Sequence, residues 1–223
     1  MASPRRRIGL LGGTFDPPHV GHLALARSAR DALGLHEVRL LPTGQSWQKP
    51  TARTSASDRM AMVRCALQGV APAEGLVADD REVRRSGPTY TVDTLTELRQ
   101  DFGPDAALVL ILGSDQLHNL ASWHRWRELL ELGHLAVTQR ERVALSGLPA
   151  EVQDLLDSHG RDALPDAPAG AIVLFRMPAV PVSATVLREQ ISRGESLSGL
   201  TPPAVLDYIA AHHLYRAGPS SSA

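Results

Sequence analysis

Residues 106–112 read Ala-Ala-Leu-Val-Leu-Ile-Leu, an unbroken apolar run that ends at Gly113. Such a run suits a strand buried on both faces, and that strand needs helices packed on each side of its sheet. The rest of the chain supplies them in alternation. Residues 8–11 read as a strand that runs into glycines, and 20–33 as a helix stopped by Gly34. Residues 36–41 form a second strand closed by Pro42, and 57–67 a helix with Ser55 or Ser57 as N-cap. A weak strand at 76–78 precedes a helix over 91–99, for which Thr89 or Thr91 would be an ordinary N-cap. After the central run come a short helix at 126–132, strands at 135–137 and 171–175, and helices near 183–193 and 203–212. The alternation predicts an α/β fold: a doubly wound, Rossmann-like parallel sheet with a small C-terminal helical extension over about 183–216. Ligands of such sheets bind beyond the carboxyl ends of the strands.

The 223 residues predict one domain over 1–216 and a disordered Gly/Pro/Ser tail over 217–223. The polar stretch 140–170 reads as a surface excursion with a short helix near 151–156. Net charge is −1 and the basic residues are not concentrated in one segment, which argues against a nucleic-acid partner. The single cysteine, Cys65, excludes an internal disulfide and a multi-thiolate metal site. No run reaches the ~20 apolar residues of a membrane span, and the apolar stretch after Arg5 to Arg7 is too short for a signal peptide. A cytoplasmic protein is the expectation. Lys49 is the only lysine among 23 basic residues, so no Walker A loop exists, and no Gly-x-Gly-x-x-Gly fingerprint occurs.

Chemistry gathers in the segments that follow the strands. The first strand runs into Gly12-Gly13-Thr14-Phe15-Asp16-Pro17-Pro18-His19-Val20-Gly21-His22. Glycines at a strand end let the backbone approach a ligand, and two imidazoles one turn apart at a helix start suit a polyphosphate. The alternative is a proline-rich turn with two surface histidines. Lys49, after the second strand, is either a phosphate contact on a mobile loop or a solvated lysine. Around Tyr90 and Thr91, backbone amides of the loop before the helix could meet a carboxylate or amide, though on the residues alone a plain cap is the better reading. Gly113 and Asp115 follow the central strand, where a carboxylate can accept from ribose hydroxyls. Trp123 offers a stacking face, and its i, i+3 spacing from Trp126 would set both rings on one helical face. Ser183, Thr185 and Arg188 open a late helix with groups that suit phosphate oxygens, or simply cap it.

Taken in order, these segments resemble a known family. GGTFDPPHVGH is similar to the nucleotidyltransferase His-x-Gly-His box, and VSATVLR to its partner of the form Ile-Ser-Ser/Ala-Thr-x-x-Arg. REVRRSGPTYTVDTL, GSDQLHNLASWHRW and GLTPPAVLDYIAAHHLY narrow the resemblance to bacterial nicotinate-nucleotide adenylyltransferases, over nearly the whole chain. One segment departs: where the family often carries Pro-Pro-His-Lys, this chain has Ser46-Trp47-Gln48-Lys49, and only the lysine matches.

The resemblance implies transfer of the adenylyl group of ATP to nicotinate mononucleotide, giving nicotinate adenine dinucleotide and pyrophosphate. The acceptor's own phosphate is the nucleophile, so no strong general base is needed. Mg²⁺ would be held mainly by ATP phosphates and water, with no protein metal site. His19, His22 and Arg188 take the catalytic positions. Gly13, Thr14, Phe15, Gly113, Asp115, Ser183 and Thr185 take the ATP contacts, and Tyr90, Thr91, Trp123 and Lys49 those to the acceptor. Alternatives are a related adenylyltransferase acting on phosphopantetheine or nicotinamide mononucleotide, or a nucleotide-binding regulator without turnover.

Overall fold

The computed structural model describes residues 5–46, 52–139 and 147–216. Lys49 and the 217–223 tail lie outside the described residues. Strand β1 (Arg7–Gly13) leads into helix α1 (Val20–Leu33), which ends at Gly34 in the left-handed conformation, φ 62°. Strands β2 (Glu37–Pro42) and β3 (Gln45–Ser46) precede α2 (Ala56–Leu67), capped by the Ser55 hydroxyl accepting from the Asp58 amide at 3.0 Å. Next come β4 (Leu76–Ala78), the single turn α3 (Arg81–Arg84), β5 (Pro88–Thr89) and α4 (Thr91–Phe102). The apolar run is β6 (Ala107–Gly113), followed by α5 (Ser114–His118), α6 (Leu129–Leu132) and β7 (His134–Gln139). Then come α7 (Ala150–His159), β8 (Gly160–Arg161), β9 (Ile172–Arg176), α8 (Ala184–Ser192) and α9 (Pro203–Ala211).

Seven strands form one sheet in the order β4-β2-β1-β6-β7-β9-β8, every pair parallel. Chain order runs outward from β1 to β2 and β4, then restarts at β6 on β1's other side. The switch point therefore lies between the carboxyl ends of β1 and β6, where an open α/β sheet leaves a crevice. β6 shows why its sequence is continuously apolar. Leu108, Leu110 and Leu112 pack with Val92, Leu95 and Leu98 of α4 on one face. Val109 and Ile111 pack with Leu25, Ala26 and Ala29 of α1 on the other. Each such side chain removed from water contributes about 1.5–3 kcal/mol. No helix among the described residues is long and apolar enough to cross a membrane.

Three local expectations are corrected. The N-cap of α4 is Tyr90, not Thr89 or Thr91. Thr89 is drawn into the two-stranded β3–β5 ladder, where its hydroxyl donates to the Gln45 carbonyl at 3.3 Å. The two tryptophans do not share a helical face, because Arg125 between them is left-handed at φ 51° and a 3-10 turn starts only at Trp126. Trp126 is core, while Trp123 stays half-buried ahead of the turn. Finally, the described part of the 140–170 excursion is not merely surface. Val152 of α7 is fully buried in the core, and β8 extends the sheet as its edge strand.

His134 fastens this edge region. Its Nδ1 accepts from the Ala171 amide at 3.1 Å, so Nε2–H donates to the Ala167 carbonyl at 2.9 Å. Burial pushes its pKa below the ordinary imidazole value, against the hydrogen bond to Ala167, and nearby Arg99, Arg7 and Arg5 push the same way as burial. The unfolded chain therefore binds this proton more readily than the folded one. Stability from this site is complete above the unfolded value of about 6.5 and is lost as pH falls below it. Thermal unfolding from pH 7.5 to 5.0 should show a falling midpoint in the wild type. His134→Leu should start lower and fall less steeply, and equal slopes would remove His134 as the cause.

Candidate active site

The loop from β1 to α1 lies at the switch point. Pro17 and Pro18 deprive it of two amide donors, and its one acidic side chain, Asp16, is buried at 2% exposure. A buried carboxylate must be hydrogen-bonded. Asp16 Oδ2 accepts from the Arg53 amide at 2.6 Å, and Oδ1 from the Thr54 hydroxyl at 2.7 Å and the Tyr215 phenol at 2.6 Å. Sequence reasoning missed this hub. The available clue was an acid set between Phe15 and two prolines, where no local donor could satisfy it.

His19 and His22 are brought together as the spacing predicts. Their rings stack at 3.8 Å between centroids, and His22 also packs on Phe15 at 4.7 Å. Phe15, held at φ 51°, points into the core and is 1% exposed, so its ring supports His22 from below. His19 is itself buried, unlike a surface histidine. The His19 amide donates to His22 Nδ1 at 3.1 Å, which leaves Nε2 of His22 as the N–H donor. The stack closes over Gly21, where an added Cβ would lie 3.0 Å from both His19 Nδ1 and Val182 Cγ1.

The second box lands on the first. Arg188 donates through Nη1 to the Asp16 carbonyl at 2.7 Å and through Nη2 to the Thr185 hydroxyl at 3.2 Å. Ser183 caps α8, accepting from the Val186 amide at 3.3 Å. Ser183 and Thr185 stay exposed at the start of that helix. Just beyond, the Thr201 hydroxyl donates to the Pro18 carbonyl at 2.7 Å, and the Val20 amide to the Leu200 carbonyl at 3.1 Å.

Arg59 of α2 is a second unforeseen part. It is 3% exposed and donates to the Thr14 carbonyl at 3.0 Å and the Gly44 carbonyl at 3.1 Å, tying the loops after β1 and β2 together. Burial lowers its pKa, and the nearby Asp16 charge opposes that. Its hydrogen bonds among the described residues all go to carbonyls.

Gly113 ends β6 beside β1's terminus. The Asp115 carboxylate takes a bond from its neighbour, Gln116 Nε2 to Oδ2 at 2.8 Å, while its buried Oδ1 has no hydrogen-bond partner among the described residues. The Tyr90–Thr91 turn and Trp123 pack against the same core cluster, and the Tyr90 ring lies 4.3 Å from that of His124. Among the described residues, the Tyr90 side chain makes no capping bond to α4. This corner is fixed from beneath. The Thr94 hydroxyl donates to the buried Glu82 carboxylate at 2.9 Å and receives from Arg85 at 3.2 Å, while burial pushes the Glu82 pKa up. Among the described residues, no group of three or more His, Cys, Asp or Glu gathers to hold a metal ion. The β1–α1 side of the crevice presents N–H donors, which fit an anion.

The fold and this crevice define the class: a model of the cytidylyltransferase-like family matches residues 10–190. A probable nicotinate-nucleotide adenylyltransferase of Pseudomonas putida (strain W619) is 44% identical over 95% of this chain and 96% of its own length. One of Laribacter hongkongensis (strain HLHK9) is 46% identical over 96% of both chains. The chain belongs to the nicotinate-nucleotide adenylyltransferases within that cytidylyltransferase-like family. In fold it is also similar to the Plasmodium falciparum nicotinic acid mononucleotide adenylyltransferase complexed with NaAD, with a TM-score of 0.73 at 18% identity, covering 95% of this chain and 98% of that one.

Gly21→Ala tests the stack. The added methyl must displace the His19 ring or Val182, and misplacement of a catalytic group by about 1 Å costs on the order of 10²-fold in rate. Turnover should drop by at least tenfold while the unfolding midpoint stays within a few degrees. Unchanged turnover would show that the stacked geometry is not needed.

Proposed function

We propose that residues 1–216 form one adenylyltransferase domain that joins ATP to nicotinate mononucleotide. The acceptor's phosphate oxygen bonds to the α-phosphorus of ATP, the bond from that phosphorus to the bridging oxygen of the β-phosphate breaks, and pyrophosphate leaves. The observation that carries this reading is the 2.7 Å bond from Arg188 to the Asp16 carbonyl, which brings the two signature boxes onto one loop.

The acceptor phosphate is ionised at neutral pH, so the protein's work is alignment and charge stabilisation. His22 donates from Nε2 to the phosphate oxygens at the reacting centre, and stacked His19 shares the charge. Backbone of Gly13 and Thr14 lies along the nucleotide, with Phe15 supporting from the core. The α1 N-terminus adds amides and the positive end of its dipole. Arg188, with Ser183 and Thr185, holds the β- and γ-phosphates. A Mg²⁺ ion carried mainly on the phosphate oxygens would neutralise charge on the departing pyrophosphate. Asp115 Oδ1, beside Gly113, accepts from the adenosine ribose. The first amides of α4, at Tyr90 and Thr91, meet the nicotinate carboxylate, and Trp123 stacks on its ring. These donors favour the acid over the amide, which would present an N–H₂ group to an N–H donor.

Pyrophosphate release should be measured with ATP and Mg²⁺ plus nicotinate or nicotinamide mononucleotide. Turnover of the acid should exceed that of the amide at least tenfold, the scale of an unmatched polar group in a site. Equal rates would sink the assignment of Tyr90 and Thr91, and release with neither would turn the search to phosphopantetheine. In the same assay, His22→Ala should lower kcat by roughly 10²–10³-fold with little change in the unfolding midpoint. An unaltered kcat would remove His22 from the mechanism.

A further inference from the structure

The Asp16 residue is gripped from both ends by the C-terminal part of the chain. Arg188 binds its carbonyl, and Tyr215, 199 positions away, binds its carboxylate at 2.6 Å. The other two donors to that carboxylate, Arg53 and Thr54, come from the segment leading into α2. The phenol is thus the only side chain of the C-terminal element that meets the Asp16 carboxylate among the described residues. It reaches there because the chain after α9 turns back through two non-glycine residues in the left-handed conformation, His213 at φ 53° and Tyr215 at φ 61°. That conformation is disfavoured for side-chain-bearing residues, so the docked contacts must outweigh it. The Tyr215 ring packs with Met62 and Ala66 of α2 and Val205 and Ile209 of α9. Burial, followed by Asp16, pushes the phenol pKa up, which keeps it a proton donor.

We infer that Tyr215 is a positioning residue of the active site, whose hydroxyl fixes Asp16 and through it the loop that presents His19 and His22 to the triphosphate. The inference rests on the reading that those histidines bind ATP. Tyr215 touches no reacting atom; it acts three residues upstream of His19, through a loop whose prolines leave it few bonds of its own.

The same element contains a matched control. Tyr208 of α9 donates its hydroxyl to Asp58 Oδ1 at 3.0 Å, again a phenol–carboxylate bond that docks α9 on α2. Asp58 opens α2 and makes no bond to the 16–22 loop among the hydrogen bonds of the described residues. A purely structural role predicts that losing either hydroxyl has the same consequence: fewer folded molecules, with Michaelis constants unchanged.

The test compares full-length wild type, Tyr215→Phe and Tyr208→Phe. KM for ATP and for nicotinate mononucleotide are measured by pyrophosphate release, and the Kd of ATP with Mg²⁺ by calorimetry at low temperature. Tyr215→Phe should raise both the KM and the Kd for ATP roughly tenfold, as loosened preorganisation requires, and leave the acceptor's KM within about twofold. Tyr208→Phe should leave all three within about twofold. The inference is overturned if Tyr215→Phe keeps wild-type constants for ATP, if both variants shift alike, or if Tyr215→Phe does not fold. Absence of wild-type turnover with nicotinate mononucleotide would instead defeat the proposed acceptor, and the ATP titration would still decide the role of Tyr215.

Discussion

A loop that carries two prolines and a buried carboxylate cannot set its own shape, because it is short of amide donors and its carboxyl group must take donors from elsewhere. Asp16 is where those donors meet. The Arg53 amide and the Thr54 hydroxyl reach it from the approach to α2, Tyr215 from the end of the chain, and Arg188 from α8. Removing one partner of a buried polar group costs more than the mean hydrogen bond is worth. The stacked imidazoles follow directly in sequence, so their placement inherits the precision of this junction. The C-terminal part of the chain also holds the rest of this loop, since Thr201 and Leu200, between α8 and α9, bind the Pro18 carbonyl and the Val20 amide.

The electrostatics point the same way. The crevice between β1 and β6 presents two imidazoles, the start of α1 and the Arg188 guanidinium. Behind them, Arg59 braces the loops after β1 and β2 through the Thr14 and Gly44 carbonyls. On the far side, Asp115 keeps one buried oxygen without a partner among the described residues, the complement of a hydroxyl. A polyanion with a ribose attached matches that division of donors and acceptor. No side chain need act as a strong base, which accords with a nucleophile that brings its own charge.

Much of the fold was legible because it is written in local patterns. The unbroken apolar run became the central strand β6, with both faces covered. Helix α1 spans 20–33, as its pattern and Gly34 predict. The errors came where tertiary pairing overrides local preference. Thr89 is a good cap by propensity, yet the β3–β5 ladder claims it. Trp123 and Trp126 have helical spacing, yet the left-handed Arg125 separates them. In the candidate site, the grouping of His19, His22 and Arg188 was legible because each sits in a short motif, and the structure brings them to one loop. The parts played by Asp16, Arg59 and Tyr215 were not: Asp16 and Tyr215 fall inside recognised segments, but the partners lie 37, 45 and 199 positions away and no local pattern names them.

The most direct measurement is a crystal structure of the full chain with a non-hydrolysable ATP analogue. The account predicts the triphosphate at the β1–β6 switch point, its oxygens within hydrogen-bond distance of His22 Nε2 and the α1 amides, and a ribose hydroxyl on Asp115 Oδ1. It also predicts that the Arg188 and Tyr215 bonds to Asp16 persist. A triphosphate bound away from the histidine stack, or an Asp16 released from both partners in the complex, would contradict it.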